Sequence, residues 1–177
     1  MEGAFHNIDS KYNDRERELI NNAANMLFAE IPCLKFGIWE KGVCPLQIGY
    51  KEAYINIKKN GTGCSSYVGK VRQSGAQVVS LDTGCLTAGT IIHELIHALG
   101  LNHEQNRADR DNFVTIKWEN VIPGYQSQFG KVGYSDATTF GVPYNTKSIM
   151  HYASYDFSVN GKPTIVTKVT YYSLPLL

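Results

Sequence analysis

The chain of 177 residues has no block of one charge sign and no long apolar run. Its 17 basic and 16 acidic residues nearly cancel, leaving a formal net charge of +1. With no basic patch there is nothing to steer nucleic acid, and no nucleic-acid partner is expected. No apolar stretch approaches the roughly 20 residues that span a bilayer, which excludes a membrane-spanning helix. Residues 1–30 are crowded with charges and lack the apolar core of a signal peptide, so an exported protein would have its signal and any propeptide outside this chain. None of the four cysteines stands in a C-x-x-C pair, which argues against a thiolate metal site or a redox dithiol. Repeats, linkers and low-complexity segments are also missing. What remains is one globular domain, 43% hydrophobic and 11% aromatic, long enough to bury a real core. A monomer is expected.

Against that ordinary background one segment carries chemistry. Residues 93–103 read His-Glu-Leu-Ile-His-Ala-Leu-Gly-Leu-Asn-His. His93 and His97 are four apart, so a helix stacks them on one face, one turn above the other. Gly100 is where that helix should stop, because glycine enters the left-handed C-cap conformation without a Cβ penalty. The chain then turns, and His103 can return to the same ion. Three imidazole nitrogens fill three corners of a Zn²⁺ site and leave one for water, the pattern of catalytic rather than structural zinc. Glu94, beside the first ligand, can take a proton from the zinc-bound water as it attacks a carbonyl. An ordinary amphipathic helix with core histidines can produce the short motif by accident; the added glycine and third histidine make accident remote.

The surrounding pattern gives a coarse architecture. Asp14 to Ile31 reads as an amphipathic helix with Leu19, Ile20, Ala23, Leu27 and Ile31 on one side, favoured at its start by Asp14 and Glu16 and stopped by Pro32. Short β-like runs follow at Leu34–Trp39, Ala53–Ile57 and Gln77–Leu81. The motif helix should run from Thr87–Gly89 to Gly100. After it comes a loop-rich half punctuated by Pro123-Gly124, Gly130, Gly133, Gly141 and Pro143. Asn60-Gly61-Thr62 matches the N-glycosylation sequon. His6 has no partner motif and reads as a surface histidine. An even number of cysteines in a secreted enzyme suggests disulfides, and Cys33, Cys44, Cys64 and Cys85 allow three connectivities.

A second segment, Ser148-Ile149-Met150-His151-Tyr152, resembles the methionine turn of metzincin proteases. In finer detail the chain resembles the astacin family. The matching stretches are Gly63-Cys64-Ser65-Ser66-Tyr67-Val68-Gly69, Gln77-Val78-Val79-Ser80-Leu81 and Gly89-Thr90-Ile91-Ile92-His93-Glu94-Leu95. His103-Glu104-Gln105-Asn106-Arg107, Asp109-Arg110-Asp111-Asn112-Phe113-Val114 and the Ser148–Tyr152 turn complete them, from about Ile20 to Val166.

That resemblance implies an α+β, metzincin-like fold: a twisted mixed sheet with the active-site helix above an irregular C-terminal half, and a cleft between. It implies one catalytic zinc ion on His93, His97 and His103, with Glu94 as general base. Tyr152 would be both an extra zinc ligand and, on swinging away, a hydrogen-bond donor to the oxyanion, and Met150 the hydrophobic floor under the histidines. His151 is then structural, since the ligand set is filled. Glu104 would anchor the N-terminus of the mature enzyme, and Cys64 would pair with Cys85. Against the family pattern, residues 1–177 form a single astacin-like catalytic domain without the family's N-terminal segment and C-terminal tail. Residues 40–52 look like an insertion. The tail's cysteine is the family partner of Cys33, so a compensating Cys33–Cys44 bond across a hairpin at Lys41-Gly42 is expected, the rival being two free thiols. The function implied is a secreted zinc endopeptidase acting on extended polypeptide; the alternative is a truncated or decoy domain that binds zinc without catalysis.

Overall fold

Asn13 starts the first helix. Its side-chain oxygen accepts from the Glu16 amide at 2.9 Å, and the Glu16 carboxylate accepts from the Asn13 amide at 2.9 Å, closing a capping box. This is one of the local devices seen in the computed structural model, which describes residues 4–31, 36–38 and 52–168. The chain falls into two compact units, Met1–Leu101 and Asn102–Leu177.

The first unit is a five-stranded sheet with two helices. Its strands are β1 (Ala4–Ile8), β2 (Phe36–Ile38), β3 (Ala53–Lys58), β4 (Cys64–Ser66) and β5 (Gly75–Leu81), and its helices are α1 (Asp14–Ala29) and α2 (Ala88–Ala98). The sheet order is β2-β1-β3-β5-β4. All neighbours are parallel except β4, which runs antiparallel to β5 with Ser65 opposite Ser80. Parallel neighbours need a crossover, and α1 supplies one between β1 and β2. Ile57 and Val79 are Cα partners in the β3–β5 register and both are fully buried. They meet Ile20, Ala23 and Ala24 of α1 and Ile91 and Leu95 of α2 in one core. Burying each large aliphatic side chain is worth about 1.5–3 kcal/mol, so this cluster is what fixes α2 on the sheet.

The buried face of α1 differs slightly from its sequence pattern. Ile20, Ala23 and Ala24 are inside, whereas Leu19 is 41% exposed. One residue is a rotation of about 100° on a helix, so Leu19 and Ile20 cannot share a narrow stripe. The helix ends at Ala29, with the Glu30 amide reaching back to the Phe28 carbonyl. The proposed stop at Pro32, the Cys33–Cys44 bond, the hairpin at Lys41-Gly42, most of the insertion, the His6 side chain and the tail from residue 169 lie outside the described residues.

The second unit has little regular structure, as the density of Gly and Pro predicts. Strands β6 (Val114–Ile116) and β7 (Ile165–Thr167) pair antiparallel. Val114, Ile116, Val121, Phe129 and Ile165 form its core. Irregular backbone leaves carbonyls without ladder partners, and Arg110 answers two of them. Its side chain is 4% exposed, and the guanidinium donates to the Gln105 and Phe129 carbonyls at 2.9 and 2.6 Å.

Candidate metal centre

Helix α2 carries the first two histidines. Thr87 caps it, its hydroxyl accepting from the Thr90 amide at 3.2 Å. At the other end the Gly100 amide donates to the His97 carbonyl at 2.8 Å, and Gly100 takes φ +108°. The Gly69 amide donates to the same carbonyl at 2.8 Å, tying the loop after β4 to the helix end. The helix therefore runs and stops close to where its sequence predicts. The offered ligand atoms of His93, His97 and His103 all lie within 4.8 Å of one another.

The chemistry of this donor set fits a metal ion. His97 is buried, and its Nδ1 sits 2.8 Å from the Leu101 carbonyl oxygen. A carbonyl can only accept, so Nδ1 carries the proton and Nε2 keeps the lone pair a metal requires. Burial also pulls the His97 pKa below its ordinary value, which keeps the imidazole neutral at physiological pH. The His93 and His97 rings stand edge to face, with centroids 4.7 Å apart. Three imidazole nitrogens are the borderline-soft donor set that suits Zn²⁺.

Glu94 lies beside His93 on the same helix. Its side chain is buried, and among the described residues Oε2 accepts no hydrogen bond. Burial pushes its carboxyl up from 4.5 to about 7. A buried carboxyl oxygen left without a donor is costly unless the site is built to receive one, and a carboxyl near neutrality is suited to giving and taking protons.

In the second unit, His103 and Tyr152 rings are 4.6 Å apart. The Ser148–His151 segment is a tight turn, the His151 amide donating to the Ser148 carbonyl at 3.0 Å. Met150 within it is buried, and its carbonyl accepts from the Glu104 amide at 2.9 Å. The methionine turn is thus stitched to the residue after the third histidine. Glu104 is engaged inside its own unit, with Oε1 accepting from the Asn145 amide at 2.8 Å and from Arg107 at 3.1 Å. Cys64 and Cys85 form a disulfide, with Cα atoms 5.6 Å apart. It joins β4 to the short turn before α2.

Sequence reasoning assigned no role to Gln105, Tyr144 or Arg107. Gln105 is fully buried and accepts from the Tyr152 amide at 3.0 Å. The Tyr144 hydroxyl lies 2.8 Å from His151, and the Arg107 guanidinium sits over the Tyr144 ring. Gln105 and Arg107 stood inside a recognised stretch, but nothing in a linear pattern shows that they reach residues far along the chain.

Comparison with known proteins places this geometry. Residues 3–175 match the peptidase family described as Astacin. The zinc metalloproteinase nas-7 of Caenorhabditis elegans is 44% identical over 162 residues, covering 92% of this chain and 39% of that protein. Blastula protease 10 of Paracentrotus lividus is 41% identical over 140 residues, covering 73% of this chain and 23% of that protein. The chain therefore spans less than half the length of these curated relatives. Among solved structures, high choriolytic enzyme 1, a hatching-enzyme zinc protease from Oryzias latipes, superposes with a TM-score of 0.78 at 35% identity. That match covers 93% of this chain and 75% of the other. The mixed sheet, the histidine cluster on and after α2 and these matches agree: the chain belongs to the astacin family, whose members are zinc enzymes.

Proposed function

We propose that this chain carries the catalytic unit of a secreted zinc endopeptidase that cleaves extended polypeptides. The observation that carries the reading is Glu94: a buried carboxyl with an oxygen awaiting a donor, beside a cluster of three histidines. His93, His97 and His103 would hold the ion. When bound, zinc supplies a Lewis acid and lowers the pKa of a water from 15.7 to about 7.

The rest of the chemistry belongs to the chain. Glu94 takes the proton of the attacking water and passes it to the leaving amine, a base and then an acid from one carboxyl. The Tyr152 phenol donates a hydrogen bond to the oxyanion that develops on the scissile carbonyl. Met150 fills the space under the histidines with a soft apolar side chain. Substrate lies extended along the outer edge of β4, an edge strand of the sheet, where main-chain hydrogen bonds read backbone rather than sequence. The Cys64–Cys85 disulfide supports an oxidising compartment and hence export.

The deciding experiment is turnover of a denatured protein substrate by this chain. Activity should vanish with a chelator and return with Zn²⁺. Protein that holds stoichiometric zinc yet leaves the substrate uncut would overturn the reading in favour of a non-catalytic domain.

A further inference from the structure

We propose that Asn60 is an N-glycosylated site, its Nδ2 bearing an oligosaccharide; the proposal rests on the export reading above. Asn60-Gly61-Thr62 is the one Asn-x-Ser/Thr sequence in the chain. All three residues are exposed. The geometry of the Asn60 amide adds what a motif alone lacks. Its Oδ1 accepts from the Thr62 amide at 3.2 Å and the Thr62 hydroxyl at 2.7 Å, and the Ser80 hydroxyl lies 2.6 Å away. Turning the amide over would set an NH₂ against the Thr62 N–H, so the donors fix which side is oxygen. That leaves Nδ2, on an exposed residue, which donates no hydrogen bond among the described residues.

The loop that presents it is well held. The Asp82 carboxylate accepts from the Gly61 and Gly63 amides at 3.2 and 2.6 Å, and Cys64 is tied to Cys85. Gly61 and Gly63 take φ +81° and +77°, the left-handed conformation that lets the amides turn toward Asp82. An N-linked sugar keeps the side-chain carbonyl and one N–H, so every bond to Oδ1 survives modification. The donor is a lipid diphosphate-linked oligosaccharide. Nδ2 attacks the anomeric carbon, the new C–N bond forms as the C–O bond to diphosphate breaks, the lipid diphosphate leaves, and the amide proton passes to a base of the transferase.

The test expresses the full chain behind a host signal peptide in a eukaryotic secretory line. Secreted protein should show a mass increase that peptide-N-glycosidase removes, converting Asn60 to Asp in the released peptide. The increase should vanish in Thr62→Ala and Asn60→Asp and persist in Thr62→Ser. Asn60→Asp keeps an acceptor for Thr62 and Ser80, so it controls for folding. Secreted, disulfide-bonded wild-type protein with unmodified Asn60 overturns the proposal, as does an increase that persists in Thr62→Ala. Protein from its natural source separates site from route. Unmodified Asn60 in exported protein sinks the site; unmodified Asn60 in protein confined to the cytosol sinks the export reading.

A different observation carries a second inference, resting on the proposed role of Tyr152. We infer that Gln105 and His151 are positioning residues for that tyrosine. Both polar atoms of its main chain are held by side chains. The Tyr152 amide donates to Gln105 Oε1 at 3.0 Å, and the Tyr152 carbonyl oxygen is 2.7 Å from His151 Nδ1. Nδ1 must donate there, and His151 Nε2 lies 2.8 Å from the Tyr144 hydroxyl, within hydrogen-bond distance. Tyr144 is itself clamped, stacked on Phe113 at 4.7 Å and covered by Arg107 at 5.3 Å. Gln105 stays at a cost: it is fully buried, and its Nε2 donates no hydrogen bond among the described residues. An apolar side chain of that size would avoid that desolvation penalty, so the amide is kept for what Oε1 does. With the backbone held at both ends, the phenol moves only through its own side-chain torsions.

A double-mutant cycle tests this. Gln105→Met should lower kcat by about 10–100-fold with KM little changed, the effect of a misplaced catalytic group. In a Tyr152→Phe background the same change should cost almost nothing, and Gln105→Glu, which keeps an acceptor, should restore much of the loss. His151→Phe removes the other hold and serves if Gln105→Met does not fold. Independent, multiplying effects, or a rise in KM alone, overturn the inference. An unchanged kcat in Tyr152→Phe by itself overturns the role of Tyr152 instead.

Discussion

At the scale of single residues, Glu94 and Tyr152 are separable by what each does to kinetics and to metal. Glu94→Gln preserves size and leaves all three histidines in place, so the variant should keep its zinc and lose nearly all turnover. Atomic absorption beside an activity assay checks both halves, and normal turnover in Glu94→Gln would remove the general-base role. Tyr152→Phe deletes one hydroxyl from a ring packed 4.6 Å from His103 and 5.7 Å from Phe129. The hydrogen bond proposed for it would act in the transition state, so the loss should fall on kcat, by about 2.7–4 kcal/mol. A raised KM with kcat intact would make it a substrate-binding residue.

At the scale of elements, the approach to α2 depends on one loop. The Cys64–Cys85 bond closes a separation of 21 residues, worth roughly 3 kcal/mol in the chain-entropy account. Reduction should therefore lower the unfolding midpoint, and activity with it, because the same bond fixes the turn before the zinc helix. Asp82 in this loop accepts from the Gly63 and Gly61 amides, in that order of influence, and these hold its carboxyl below the ordinary 3.8. A depressed folded pKa gives stability that is present above the ordinary value and lost as pH falls through the folded one. Asp82→Asn should flatten that acid limb in a pH series of thermal melts; an unchanged limb would show that the loop's acid sensitivity lies elsewhere.

Elements also differ in how far the sequence reveals them. Helix α2 was legible to within two residues because its cap, apolar spacing and terminal glycine all act at the helix itself. The face of α1 was nearly legible, with Leu19 misplaced because apolar residues at 19 and 20 compete for one stripe. Strands β1, β4, β6 and β7 were not, since runs of three to five residues carry too few positions for a period of two. Their pairing is also set by distant partners, as when Cys64 lies opposite Leu81. The histidine cluster was legible for the opposite reason: eleven consecutive residues contain all three histidines. The hold of Gln105 on Tyr152 joins two segments, and only the folded chain displays it.

At the scale of the whole molecule, metal binding should be readable as stability without reference to catalysis. An ion that binds the folded chain and not the unfolded one stabilises it by RT ln(1 + [L]/Kd), about 2.7 kcal/mol at a hundredfold excess over Kd. In a protein of this size each kcal/mol moves the midpoint by about 2–4 °C, so zinc at that excess should raise Tm by roughly 5–11 °C over chelated protein. His97→Ala should abolish most of this difference. Glu94→Gln should keep it, since Glu94 stands outside the histidine cluster proposed to hold the ion. Those two variants divide the site into a part that holds and a part that reacts. If chelation leaves Tm unchanged in wild-type protein that is shown to contain zinc, the ion is not held by His93, His97 and His103 in the folded chain, and the catalytic reading loses its foundation.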